Sequence, residues 1–170
     1  MASRERFDRL LAPHLGAAYN LARWLLRNDQ DAEDAVQEAA LRAFRFSDAM
    51  TGTGARTWLL SIVRNACFTA LGRARARPAS EEFDEERHPG NGADPEMQVV
   101  RNAERKMIDE ELERLPPEFR EVVVLRELEG LSYKEIAGVA GIPLGTVMSR
   151  LSRARRQLQK QLAARERSGP

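Results

Sequence analysis

The chain has 170 residues, of which 42% are hydrophobic and 31% charged, with a formal net charge of +1. That length allows one mid-sized domain or two small ones, and no apolar run approaches the roughly 20 residues needed to span a bilayer, which excludes membrane insertion. The lone cysteine, Cys67, excludes an intrachain disulfide and any multi-cysteine zinc site, and the charged N-terminus MASRERFDRLL lacks a signal-peptide apolar core, so a reducing cytoplasm is the expected compartment.

No segment sustains apolar–polar alternation, so the expected fold is all-α. Phe7, Leu10, Leu11, Leu15, Ala18, Ala22, Leu25 and Leu26 mark a first helix, which Asn28-Asp29-Gln30 breaks. Asp31 is placed to cap the second helix, and Asp34 adds negative charge where the helix dipole favours it. Val36, Ala39, Ala40, Ala43 and Phe44 form the buried stripe of that helix. A glycine-bearing loop over residues 47–55 leads to a third helix from about Thr57, with Trp58, Leu59, Ile62, Val63, Ala66 and Leu71 inward. The spacing of Trp58 with Ile62 places it in the core. Phe68 lies off the main stripe and is open to either packing or base stacking. Cys67, beside the stripe, reads as a buried structural thiol rather than a redox sensor.

The text changes at residues 78–95, PASEEFDEERHPGNGADP, where Phe83 is the one large apolar residue. Such a segment buries too little surface to offset its ordering entropy and reads as a flexible linker. Asp94-Pro95 then opens a helix as cap and first residue. Val99, Val100, Met107, Ile108, Leu112 and Leu115 continue it, and Pro116-Pro117 stops it and starts another. Phe119, Val122, Val123, Leu125 and Leu128 fill that next helix, which Gly130 ends. The organisation is two small helical domains, 1–77 and 96–170, joined by the linker 78–95.

The most informative stretch follows: LSYKEIAGVAGIPLGTVMSRLSRARRQL, residues 131–158. Ser132 and Glu135 form a capping box. Ile136, Ala137 and Ala140 make one apolar face, Gly141 permits a positive-φ turn, and Pro143 suits entry to a new helix. Val147, Leu151, Ala154, Leu158 and Leu162 are the buried stripe of the second helix; Thr146, Ser149, Arg150, Arg153, Arg155, Arg156 and Lys160 decorate its other faces. A plain helical hairpin with a solvated basic face has the same outline. After Leu144, however, positive charge is opposed by Glu166 alone, whereas a face selected for solubility mixes signs. The pattern favours a helix-turn-helix whose second helix enters a DNA major groove.

Charge distribution agrees. Basic residues gather in 64–77 and 150–160, acidic ones in 29–38, 81–86 and 104–121, a segregation suited to touching DNA with some surfaces and protein with others. Enzyme chemistry has no support: His14 and His88 lie in unrelated contexts, and there is no phosphate-binding glycine loop or nucleophile elbow, so no cofactor, metal or catalytic residue is expected.

Three stretches together resemble the extracytoplasmic-function (ECF) sigma factors, the smallest bacterial promoter-specificity subunits. DAEDAVQEAALRAF (31–44) looks like the family's polymerase-binding helix, TWLLSIVRNACFTALGRARAR (57–77) like its minus-ten helix, and residues 115–158 like its minus-thirty-five domain. The resemblance implies that Asp34, Gln37, Glu38 and Arg42 dock on the coiled-coil clamp of core RNA polymerase. It implies that Arg56, Arg64, Asn65, Phe68, Thr69, Arg73 and Arg75 hold the melted non-template strand. For duplex promoter DNA it implies Ser132 and Tyr133 as contacts, Thr146, Ser149, Arg150 and Arg153 on the outward, base-reading part of the recognition helix, and Arg155 and Arg156 on phosphates. It further implies control by an anti-sigma factor, in a stress or envelope response. The rival readings are a stand-alone helix-turn-helix regulator, which has no need of the N-terminal surfaces, and a sigma-mimicking adaptor that titrates an anti-sigma factor.

Overall fold

The computed structural model describes the backbone of residues 2–46, 54–76 and 95–169, and the side chains of these except at residues 2, 75, 76 and 95–102. Most of the expected linker, and most of the loop before the third helix, lie outside the described residues. Among the described residues every regular element is helical: α1 Ala2–Leu10, a 3-10 turn Ala12–His14, α2 Leu15–Leu26, α3 Asp29–Arg45, α4 Ala55–Ala76, α5 Pro95–Glu113, α6 Pro117–Val123, α7 Tyr133–Ala140 and α8 Leu144–Arg167. The residues after α6, Val124–Leu128, continue as a π-helical turn.

The expected first helix is two. Pro13 lacks an N–H for a continuous ladder, and the chain makes a 3-10 turn around it before α2 begins. The cap of α3 also lies three residues earlier than expected. Asn28 accepts from the Asp31 N–H at 2.7 Å, so Asp31 lies inside the first turn instead of capping it. Asn28 in extended backbone gives its side-chain oxygen the reach to a free N–H of that turn.

Helices α2, α3 and α4 pack on one another in the N-terminal half, through Leu21, Leu25, Ala35, Ala39, Leu59 and Val63. In the C-terminal half α6, α7 and α8 enclose Val122, Leu125, Leu131, Ile136, Val147 and Leu151. The halves do not stand apart: α2 packs against α6 and α4 against α7, and the buried apolar residues from Leu11 to Ala154 form one continuous cluster.

Several stripe positions differ from expectation. Phe44 is 42% exposed, edge-on to Phe7 with ring centroids 5.9 Å apart. Leu128 and Ile108 are also exposed, because the π turn and the outer flank of α5 turn them away from the core. Leu162 is exposed, and Gln161 replaces it inside, donating to Glu111 Oε2 and the Glu111 carbonyl at 2.8 and 2.9 Å. A polar seam between α5 and α8, completed by Arg165 on Glu111, thus takes over where the apolar stripe ends. Val99 and Val100 lie among the residues whose side chains are not described.

Candidate nucleic-acid and partner interfaces

The α3 face is open. The buried alanines Ala32, Ala35, Ala39 and Ala43 let α3 sit close against its neighbours, with Val36 packed beside them and the charged and amide side chains projecting outward. Asp34, Gln37, Glu38 and Arg42 are exposed. Residues 34, 38 and 42 lie on one line at i,i+4 spacing, with Arg42 donating to Glu38 at 3.1 Å and Gln30 to Asp34 at 3.1 Å. Exposed ion pairs of this kind contribute little to stability, so their side chains are free to exchange partners. Leu41 and Phe46, at 64% and 61% exposure, border the polar face at its C-terminal end. Sequence reasoning missed these two; the available signal was that neither falls on the alanine stripe.

The α4 residues divide into two sets. Asn65, Thr69 and Arg73 are exposed and follow one another at i,i+4 spacing along one outer line. Arg56 and Arg64 instead turn toward the C-terminal half. Arg64 Nε donates to Glu121 Oε1 at 2.6 Å and Nη2 to Oε2 at 3.4 Å, while its guanidinium lies over the Phe68 ring at 4.1 Å. Arg56 reaches Glu135 Oε2 and the Glu129 carbonyl, both at 3.5 Å. Phe68 and Trp58 are half-buried against the core, with Phe68 lying under the Arg64 guanidinium. The Arg75 side chain lies outside the described residues. Cys67 is fully buried, and burial with the nearby Glu121 charge pushes its thiol up to about 12, which keeps it protonated and inert as expected of a structural cysteine.

Glu121 itself has no exposure. Burial pushes its carboxyl up, and the Arg64 bond and the Arg64 and Arg150 charges oppose that rise. Its neighbour Arg120 is also buried and fans its guanidinium over five carbonyls: Trp24 and Leu25 at the end of α2, and Leu112, Glu113 and Leu115 at the end of α5. Desolvation lowers its pKa to about 10, so it keeps its charge at neutral pH.

The helix-turn-helix forms as its local chemistry dictates. Ser132 Oγ accepts from the Glu135 N–H at 3.1 Å and Glu135 Oε1 from the Ser132 N–H at 3.0 Å, which closes the capping box. Those bonds hold the Glu135 carboxyl below the usual range. Gly141, at φ 66°, makes the left-handed turn, and Pro143 precedes α8. On α8, Ser149, Arg153, Arg155 and Arg156 are exposed, and Thr146 and Arg150 half-buried. Ser149 Oγ donates to the Thr146 carbonyl, Arg155 to Glu127 at 2.9 Å, and Arg126 covers the Tyr133 ring at 4.6 Å. Ser132 is exposed beside them. An open recess of about 340 Å³ runs between Tyr133, Met148, Leu151, Arg155 and Arg156. Leu144 and Met148 are about half exposed at the start of the helix. The C-terminal half therefore presents a cationic, hydroxyl-bearing helix to solvent, and the N-terminal half a separate acidic face and a polar outer line.

A two-part helical protein of this kind, with a helix-turn-helix in its second part, has close counterparts. The Sigma-70 region 2 model matches residues 10–77 and the Sigma-70 region 4 model residues 105–158. The ECF RNA polymerase sigma factor SigE of Mycolicibacterium smegmatis is 38% identical over 165 residues, a stretch that covers 95% of this chain and 63% of that protein. The ECF RNA polymerase sigma-E factor of Escherichia coli is 38% identical over 144 residues, covering 78% of this chain and 74% of that one. Among solved structures, the sigma factor RpoE of Bartonella quintana, co-crystallised with the anti-sigma factor NepR, superimposes with a TM-score of 0.74 at 26% identity, covering 92% of this chain and 96% of RpoE. CnrH, in complex with the cytosolic domain of CnrY, gives 0.67 at 27% identity, covering 93% and 88%. The chain belongs to the ECF subfamily of the sigma-70 family of RNA polymerase sigma factors. As such it is a transcription initiation factor, with region 2 in its N-terminal half and region 4 in its C-terminal half. No helix among the described residues is long and apolar enough to cross a membrane.

Proposed function

We propose that this chain binds core RNA polymerase through the α3 face, holds the melted non-template strand along α4, and reads the minus-thirty-five duplex with α8. The observation that carries the reading is the separation of surfaces. Asp34, Gln37, Glu38 and Arg42 stand exposed on one helix while Ser149, Arg153 and Arg156 stand exposed on another. An acidic face with exchangeable ion pairs suits a basic protein partner, through charge-assisted hydrogen bonds. Arginines on a helix-turn-helix suit guanine edges and phosphates. Asn65, Thr69 and Arg73 offer hydrogen bonds and charge to a single strand. Catalysis belongs to the polymerase, and the factor works in the cytoplasm, on the nucleoid when in holoenzyme. The complex of RpoE with the anti-sigma factor NepR supports an anti-sigma factor as the regulator of this chain too.

Transcription from a candidate promoter by core polymerase, with and without the chain, tests the whole reading. Two double variants test the surfaces. Gln37→Ala with Glu38→Arg should weaken polymerase capture roughly tenfold or more, the effect of losing a charge-assisted contact. Arg150→Ala with Arg153→Ala should leave capture intact and lose the minus-thirty-five preference. Equal loss of capture by both pairs in a pull-down rejects the assignment of separate roles.

A further inference from the structure

Two of the cations that α4 offers to DNA, Arg56 and Arg64, are engaged elsewhere in the molecule. Arg64 binds Glu121 with two donors on two oxygens, at 2.6 and 3.4 Å, the fork geometry with which arginine also grips a phosphate. The same two donors cannot serve both anions. Arg56 is turned onto Glu135 and the Glu129 carbonyl. These pairs belong to a seam between the two halves, extended by Asn20 on Glu129 at 2.7 Å, by Arg27 on Glu113 at 2.8 Å, and by Arg120 on the Trp24 and Leu25 carbonyls. All of these cross from region 2 to region 4.

Distance makes this packing incompatible with promoter binding. Two elements named for positions ten and thirty-five base pairs upstream are separated by roughly 85 Å of duplex at 3.4 Å per step. Here α4 touches α7 directly. Residues 77–94 can extend to roughly 60 Å, so the chain has the length to place its halves on both elements once they part.

We propose that the seam is an intramolecular lock in which Glu121 occupies the phosphate-binding donors of Arg64, so that region 4 must leave region 2 before the melted strand can be held. The lock is weak by construction. Glu121 is fully desolvated and Arg64 is not, and desolvation of a buried ion offsets most of what its pairing contributes. An apolar residue at 121 would make firmer glue; a carboxylate makes a releasable one. The α3 face stays exposed throughout, so polymerase can dock on the closed chain and the opening can follow. This rests on the proposed assignment of α4 to the non-template strand.

The test uses the full chain without polymerase, a fluorescein-labelled oligothymidine as the single-strand probe, and small-angle scattering for compactness. Glu121→Gln keeps the shape and releases the charge. It should bind the oligonucleotide roughly tenfold more tightly, the scale of one charge-assisted contact, with a larger radius of gyration. Glu104→Gln, exposed on α5, makes the same charge change away from the seam and should bind as wild type does. Asn20→Asp sets a carboxylate against Glu129 and should also open the chain. It adds negative charge, so tighter binding runs against the simple electrostatic trend. It decides the matter if Glu121→Gln fails to fold by circular dichroism. Folded seam variants with wild-type affinity and wild-type dimensions overturn the lock. In parallel, wild-type chain with core polymerase is assayed for promoter-dependent transcription: failure there removes the sigma reading, whereas success there with unchanged seam variants removes the lock alone.

Discussion

Arg120→Met removes one guanidinium from the centre of the molecule and keeps most of its volume. Arg120 is 4% exposed and donates to five carbonyls between 2.9 and 3.4 Å. Four of them belong to residues in the last turns of α2 and α5, where a helix leaves carbonyl oxygens without intrahelical partners and concentrates its negative dipole end. Methionine satisfies none of them. Breaking a buried charged network from one side destabilises by roughly 3–5 kcal/mol. At roughly 2–4 °C per kcal/mol for a chain of this size, the midpoint should fall by about 6–20 °C. Arg120→Lys retains a charge but not the planar fan of donors and should recover only part of the loss. Thermal unfolding followed by circular dichroism measures both. A midpoint within about 2 °C of wild type for Arg120→Met, equivalent to less than roughly 1 kcal/mol, would refute the claim that these carbonyls depend on Arg120.

Cys67, buried and held protonated, should react with a thiol reagent at least about a hundredfold more slowly in the native chain than in denaturant, as expected of a desolvated thiol; native reactivity matching the denatured rate contradicts its placement. Glu135, whose folded pKa is depressed chiefly by the Ser132 backbone N–H, stabilises the fold above its unfolded value of about 4.3 and loses that contribution as pH falls through the folded value. Glu135→Gln should therefore lower the melting temperature at neutral pH and converge on wild type as the pH falls through the depressed folded value; a difference that stays constant as the carboxyl protonates rejects the linkage.

What could be read ahead of the structure was what depends on neighbours in sequence. The capping box at Ser132, the left-handed Gly141, and the stripe through Val147, Leu151 and Ala154 each need residues within a few positions, and each forms. The helix-turn-helix followed from them. The Pro13 break was visible as a residue type but was outvoted by a hydrophobic period that continues across it. The seam was not legible. Arg64 and Glu121 lie 57 positions apart, and Arg120 bonds to carbonyls, which every residue carries and no sequence pattern marks. An arginine on a basic helix reads as a DNA contact whichever way it turns. One signal was available: Glu121 stands one helical turn before Leu125 and beside Val122, so its spacing already put a carboxylate on an apolar face, where it needs a partner.

The seam also leads to a prediction about how the chain binds promoter DNA by itself. Non-specific affinity grows with the number of phosphates neutralised, with log K falling against log salt by roughly 0.9 per contact on duplex and 0.7 on single strands. The net charge of +1 supplies little long-range attraction. In the closed chain Arg56, Arg64 and Arg155 each face a carboxylate, so three of the cations assigned to DNA are already neutralised. Arg73, Arg153 and Arg156 are exposed, on two helices that the closed packing cannot spread across one promoter. The free chain should therefore show weak binding to promoter duplex at physiological salt, with a slope of about two contacts or roughly −1.8 for the α8 pair. Core polymerase should raise the affinity and steepen the slope as the engaged arginines exchange carboxylates for phosphates. Fluorescence anisotropy across a salt series, with and without core polymerase, measures both quantities. Nanomolar, sequence-specific binding by the free chain at physiological salt would show that the closed packing does not limit DNA access, and would favour a stand-alone regulator.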